Sequence, residues 1–116
     1  MKKVILDTSF IITAVRQKID FFHDFEMLGL QILIPEKVLR ELESLSGNQE
    51  AALALAILKK NKFKKIETKG KDVDSSIVNF AKENPDVLIA TLDKEIKSKV
   101  KNSKIVIKQK KLLDLA

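Results

Sequence analysis

Along the chain, apolar positions alternate between short unbroken runs and runs with helical spacing. "KKVIL" (2–6), "LQILIP" (30–35) and "DVLIAT" (86–91) are nearly continuous β-branched or aliphatic stretches of strand length. Such runs suit strands buried on both faces, as in parallel sheets. "FKKIET" (63–68) and "KIVIK" (104–108) read as two further strands. Between them the period changes. "TSFIITAVRQ" (8–17) sets Phe10 with Ala14 and Ile11 with Val15 at i, i+4, and "DFFHDFEML" (20–28) follows until Gly29 stops it. Pro35 suits the start of a helix reaching Leu45, with Val38, Leu42 and Leu45 as its buried stripe. "SGN" (46–48) breaks that helix, and "QEAALALAILKKN" (49–61) is an apolar helix suited to packing on a sheet. "DSSIVNFAKEN" (74–84) reads as a helix ended by Asn-Pro, and "KGKD" (69–72) before it as a loop. "DKEIKSKVKN" (93–102) is a helix with Ile96 and Val100 at i, i+4, and "KLLDLA" (111–116) is a short terminal helix or a frayed end.

Strands alternating with helices predict an α/β fold, a parallel sheet with helices on both faces, in one domain spanning 1–116. Open sheets of this kind bind ligands beyond the carboxyl ends of their strands, near the reversal of strand order. Acids stand at those ends. Asp7 closes the first strand and Asp93 directly follows the fourth, while Asp74 opens a helix on the same face as Ile77 and Val78. Each alone is explained as a helix N-cap. On the third helix, Glu41 and Glu43 flank the apolar stripe on opposite sides, each by about 40°, so spacing does not choose between them.

Composition narrows the chemistry. Hydrophobic residues make up 45% and charged residues 33%, which excludes a disordered chain. The apolar runs are too short to cross a bilayer, and "MKK" leads into only three apolar residues, so neither a membrane span nor a signal peptide is expected and the cytoplasm is. With no cysteine and one histidine, His23, any bound metal would take oxygen ligands and be Mg²⁺ or Mn²⁺ rather than zinc. The net charge of +6 fits two readings, a polyanionic partner or the solvated lysine-rich surface of a heat-adapted protein. Other carboxylate chemistries fail on particular residues. A haloacid-dehalogenase phosphatase needs an Asp where Ser9 stands, and a receiver domain needs an Asp that "FKKIETKG" lacks. The three glycines form no phosphate loop, and His23 in "DFFHDFE" belongs to no Ser–His–Asp set.

Four stretches, in order, resemble the motifs of the PIN-domain family of nucleases. "VILDTSFII" is similar to the first motif, and "IPEKVLRELESL" to the second, whose Glu-Leu pair matches Glu41 rather than Glu43. "DVDSSIVNFA" resembles the third and aligns Asp74; "IATLDKEIKSKVK" resembles the fourth and aligns Asp93. The chain departs from the pattern at Ser75, where a second acid is usual, and at Leu92, where Asn is usual. The resemblance implies a three-layer sandwich around a roughly five-stranded parallel sheet. It implies a catalytic, metal-holding set of Asp7, Glu41, Asp74 and Asp93, with Thr8, Ser9 and Thr91 orienting those carboxylates. One or two Mg²⁺ or Mn²⁺ ions would serve hydrolysis of RNA phosphodiester bonds, in RNA processing ahead of a toxin role. RNA is then the expected partner, with Lys71, Lys94, Lys97 and Lys101 as its contacts, the last three sharing one helix face. Homodimerisation and, for a toxin, an antitoxin partner are further expectations of the family. The alternative is a PIN-like module that binds RNA or protein without cutting.

Overall fold

A computed structural model describes residues 2–45, 47–109 and 111–115. Ser46 and Ala116, which fall in the expected helix break and the expected terminal helix, lie outside the described residues. The elements are β1 (Lys2–Leu6), α1 (Thr8–Arg16), α2 (Phe21–Met27) and β2 (Leu30–Pro35), then α3 (Glu36–Ser44) and α4 (Gln49–Lys59). β3 (Lys64–Ile66), α5 (Val73–Glu83), β4 (Leu88–Ala90), α6 (Lys94–Lys99), β5 (Lys104–Lys108) and β6 (Lys111–Leu115) complete the chain.

The sheet has six strands in the order β3-β2-β1-β4-β5-β6. The first five are mutually parallel, as the continuous apolar runs predict, with Val4 opposite Ile32 on one side and Leu88 on the other. The sixth corrects the reading of 111–116 as a helix or frayed end: β6 pairs antiparallel with β5, Lys111 opposite Lys108. The physical reason is the outer edge of β5, whose free backbone groups a hairpin partner satisfies.

From β1 the chain first moves outward to β2 and β3, then returns to the other side of β1 for β4 and β5. Right-handed crossovers put connections of opposite direction on opposite faces of a sheet. The packing agrees: α1, α3 and α4 contact one another, and α5 contacts α6. The core joining them includes Ile5, Leu6, Ile34 and Ile89 from the strands and Leu42 and Ile77 from the helices. Phe10 of α1 meets Phe21 and Phe25 of α2 with ring centroids 6.2 and 6.1 Å apart, locking these two helices.

Several helix boundaries differ from the periodicity. α5 begins at Val73 with Asp72 as its cap, so Asp74 lies inside the first turn rather than at the opening. α6 ends at Lys99, because Val100 turns extended (φ −121°, ψ 146°) and is buried. Beyond it, the buried Asn102 amide donates to the carbonyls of Asn84 (2.9 Å) and Val87 (2.8 Å), pinning the entry to β5. Lys101 therefore lies outside the helix and shares no helical face with Lys94 and Lys97. Leu45 is 42% exposed rather than part of the α3 stripe, since α3 ends before it.

Candidate functional site

Strand order reverses between β1 and β4, and the two acids that close these strands stand there together with a threonine. Asp7 extends β1 by one ladder bond, its N–H donating to the Ala90 carbonyl at 3.2 Å. It is also the N-cap of α1: Oδ1 accepts from the Phe10 N–H at 2.8 Å and from the Ser9 hydroxyl at 3.0 Å. Its other oxygen, Oδ2, accepts from the Thr91 hydroxyl. The Thr91 oxygen in turn accepts from the Asp93 N–H at 3.0 Å, so one fully buried hydroxyl ties the ends of β1 and β4. Asp93 caps α6, Oδ1 accepting from Glu95 N–H at 2.8 Å and Ile96 N–H at 3.3 Å. The cap uses one oxygen and leaves the other without a protein donor among the described residues.

Asp74 approaches from α5 and Glu41 from α3. Partial desolvation raises the Asp74 carboxyl above its ordinary value, and the charges of Asp93, Asp72 and Glu41 raise it further. A proton on Asp74 would be shared with Asp93. Asp74 therefore lies within charge reach of Asp7, Asp93 and Glu41. Of the two α3 glutamates, Glu41 is the one whose charge raises Asp74. Asp7 is pushed up to about 6, chiefly by burial, against the lowering effect of its bonds from Thr91, Phe10 and Ser9.

The neighbouring residues divide. Ser9 and Thr91 bond the Asp7 carboxylate, whereas the buried Thr8 hydroxyl has no partner among the described residues. Ser75, in place of an acid, is used locally: its N–H donates to Asp72 Oδ1 at 2.8 Å and its hydroxyl accepts from the Asp72 N–H, a capping box. Those bonds hold the Asp72 carboxyl below its usual range. Leu92 is half-buried between Thr91 and Asp93, and nothing in the structure explains why it replaces Asn. Lys94 and Lys101 are exposed and Lys97 half-buried, and the exposed Lys71 lies beside Asp72. Sequence reasoning missed Lys37, one turn before Glu41, whose ammonium donates to the Thr68 carbonyl at 2.5 Å and straps the β3–α5 loop to α3. The i, i+4 spacing to Glu41 was the available signal.

The donor set fits a hard divalent cation in kind. Every candidate donor is oxygen, and a cation would relieve the repulsion that lifts Asp74. The grip itself is not closed: among the described residues no three acidic side chains converge on one point.

An α/β sheet with carboxylates gathered where its strand order reverses defines a class of acid-lined sites at strand ends. The chain belongs to the PIN-like domain family, whose model matches residues 4–111. It is 33% identical over 127 residues to ribonuclease VapC4 of Methanocaldococcus jannaschii, covering 99% of this chain and 97% of that protein. It is also 33% identical over 103 residues to the rRNA-processing protein fcf1 of Schizosaccharomyces pombe, covering 84% of this chain and 53% of that protein. Among solved structures, the PIN domain endonuclease Utp24 superposes with a TM-score of 0.81 at 29% identity, over 95% of this chain and 88% of the other. A domain of a functionally unknown protein from M. jannaschii shares the fold, with a TM-score of 0.57 at 22% identity over 84% and 83% of the two chains. No helix among the described residues is long and apolar enough to cross a membrane.

Proposed function

We propose that the chain is a metal-dependent endoribonuclease that hydrolyses RNA phosphodiester bonds and leaves a 5′-phosphate. The observation that carries this reading is the gathering of Asp7, Asp93, Asp74 and Glu41 from four separate elements at the switch in strand order. Helix capping accounts for Asp7 and Asp93 taken singly, but not for Asp74 and Glu41 crowding toward them.

In this reading Asp7 is the rigid member, its carboxylate fixed by Ser9, Phe10 and Thr91. Asp93 offers the oxygen its cap leaves free, and Asp74 and Glu41 swing in from α5 and α3. Together they would hold one or two Mg²⁺ or Mn²⁺ ions. A bound ion would acidify a water and shield charge on the attacked phosphate. The residues supply orientation and negative charge; the basic surface supplies the grip on the RNA backbone.

RNA processing is favoured over a toxin role by the likeness to Utp24 and fcf1. The full-length match to VapC4 keeps the toxin role in view, and an antitoxin partner with it. A second reading, an RNA-binding module that does not cut, is favoured by one observation: no three acids converge as they stand.

The deciding experiment incubates the protein with end-labelled single-stranded RNAs in Mn²⁺ or in EDTA, beside the Asp7→Asn variant. Cleavage should require Mn²⁺ and fall by about a thousandfold or more in the variant, equivalent to roughly 4 kcal/mol of transition-state stabilisation. Cleavage in EDTA, or cleavage untouched by Asp7→Asn, would refute the site. Binding without cleavage across a broad panel would establish the second reading.

A further inference from the structure

The charge of this chain is not spread over it. Between Lys59 and Lys71 stand seven of its 22 basic residues and one of its 16 acidic residues, Glu67. A second stretch, residues 94–111, holds eight basic residues and one acidic residue, Glu95, and the rest of the chain is net acidic. A heat-adapted surface intersperses both signs and joins them in ion-pair networks. Here the ion pairs among the described residues, Arg16–Glu50, Arg40–Glu36 and Lys99–Glu95, all lie outside 59–71. The lysine-rich surface of the chain is therefore concentrated in these two stretches, of which 59–71 is the denser.

Its place in the fold gives it direction. The segment leaves α4, forms β3 and enters the loop before α5, and among the described residues β3 pairs only with β2, so the lysines follow one open edge of the sheet. At the amino end of β3 a groove of about 630 Å³ is lined by Lys60, Lys62 and Lys64, with half-buried Phe63 and Leu30 in its wall. At the other end the path is anchored beside the acids. Lys37 of α3 holds the Thr68 carbonyl, and the Asn79 amide of α5 holds the Lys69 carbonyl at 2.8 Å. Residues 62 to 68, if extended throughout, would span about 20 Å at roughly 3.3 Å per residue.

We infer that residues 59–71 form a binding track for single-stranded RNA, leading from the groove beside Phe63 along β3 to the acid cluster. The inference rests on the nuclease reading for its direction and adds to it the surface that delivers the strand. Exposed ammonium groups on an open edge match backbone phosphates without demanding sequence, and the apolar wall of the groove offers a face to one base. Lysines on an edge strand also oppose pairing with another peptide strand, which argues against a β-augmented protein partner. α6 is the weaker basic element: Lys97 is half-buried, Lys99 is paired with Glu95, and Lys101 lies past its end.

The test measures binding of a labelled single-stranded oligoribonucleotide in EDTA across a range of KCl, so that cleavage plays no part. Lys60, Lys62 and Lys64 changed together to Gln should weaken binding about tenfold or more. The slope of log affinity against log salt should fall by about 2, at about 0.7 per lost phosphate contact on a single strand. The same three changed to Arg should keep both affinity and slope, and Lys94→Gln with Lys97→Gln should change them less. Unchanged affinity and slope in the Gln triple variant would overturn the track, whether or not the protein cuts RNA. Competition by polyglutamate as strong as that by RNA would overturn it in favour of an acidic protein partner. Full dependence on the three lysines without Mn²⁺-dependent cleavage would support the track and remove the nuclease reading alone.

Discussion

The middle of the sheet's carboxyl edge and its flank are built in opposite ways. In the middle, Asp7 and Thr91 are 3% and 0% exposed, and each is committed to bonds that join β1, β4 and two helix caps. On the flank, Asp74 and Glu41 are exposed, and the hydrogen bond open to Asp74 is the proton it would share with Asp93. The middle is positioned by backbone ends, which move only if the sheet does; the flank is positioned by side-chain torsions. That difference gives one rigid anchor and several adjustable arms, and it explains how acids can crowd one region without three of them yet converging.

The sharpest way to probe the rigid half is through its burial. Asp7 is held at about 6 against an ordinary 3.8. A carboxyl raised on folding stabilises the fold fully below the unfolded value, and that contribution is lost as pH rises through the folded value. In EDTA the contribution lost between about pH 4 and pH 7 is on the order of 3 kcal/mol. Asp7→Asn removes the titration, so urea unfolding should show the variant gaining on the parent by roughly that amount over the same window. A stability gap that stays constant from pH 4 to pH 8 would show that burial does not strain Asp7. Mn²⁺ should raise the melting temperature of the parent at pH 7.5 and leave that of the variant nearly unchanged.

Thr91 tests whether the rigid half depends on its bridging hydroxyl. Thr91→Val preserves shape and removes both the donor to Asp7 Oδ2 and the acceptor of the Asp93 N–H. The cost should be about 1–3 kcal/mol, because buried partners are left unsatisfied. Ser9→Ala should cost less than about 1 kcal/mol, since Ser9 is exposed and water can replace it. Chemical denaturation of both variants at pH 7.5 makes the comparison, and equal costs would deny Thr91 its special place.

The same contrast marks what the residues alone reveal. β1, β2 and β4 are legible because strands buried on both faces need unbroken apolar runs, and the acids ending β1 and β4 are legible as strand ends. Elements decided by distant partners are not. "KLLDLA" carries no alternation strong enough to announce β6; the open edge of β5 calls for it. α6 is cut short by the burial of Val100 and by the Asn102 amide reaching back across the chain, contacts to residues far earlier in sequence. Asp72 takes the cap that local reading assigns to Asp74, because a serine three residues on completes a capping box. At the site, only the flank was ambiguous. Glu41 and Glu43 border the same stripe at equal angles, and the choice belongs to α5, an element that α3's own sequence does not contain.

That choice supplies the finest test of the flank. If Glu41 is one of the adjustable arms, Glu41→Gln removes a charge that raises the Asp74 carboxyl, so that carboxyl should titrate nearer its ordinary value in an NMR experiment without metal. RNA cleavage in Mn²⁺ should fall about tenfold, equivalent to roughly 1.4 kcal/mol, less than for Asp7 because a flexible arm can be partly replaced by water in the ion's coordination. Glu43→Gln removes the same charge from the same helix and should alter neither the Asp74 titration nor, within about twofold, the rate. The pair separates position from charge: a general loss of negative potential would act through both glutamates, whereas an arm reaching toward Asp74 acts through Glu41 alone.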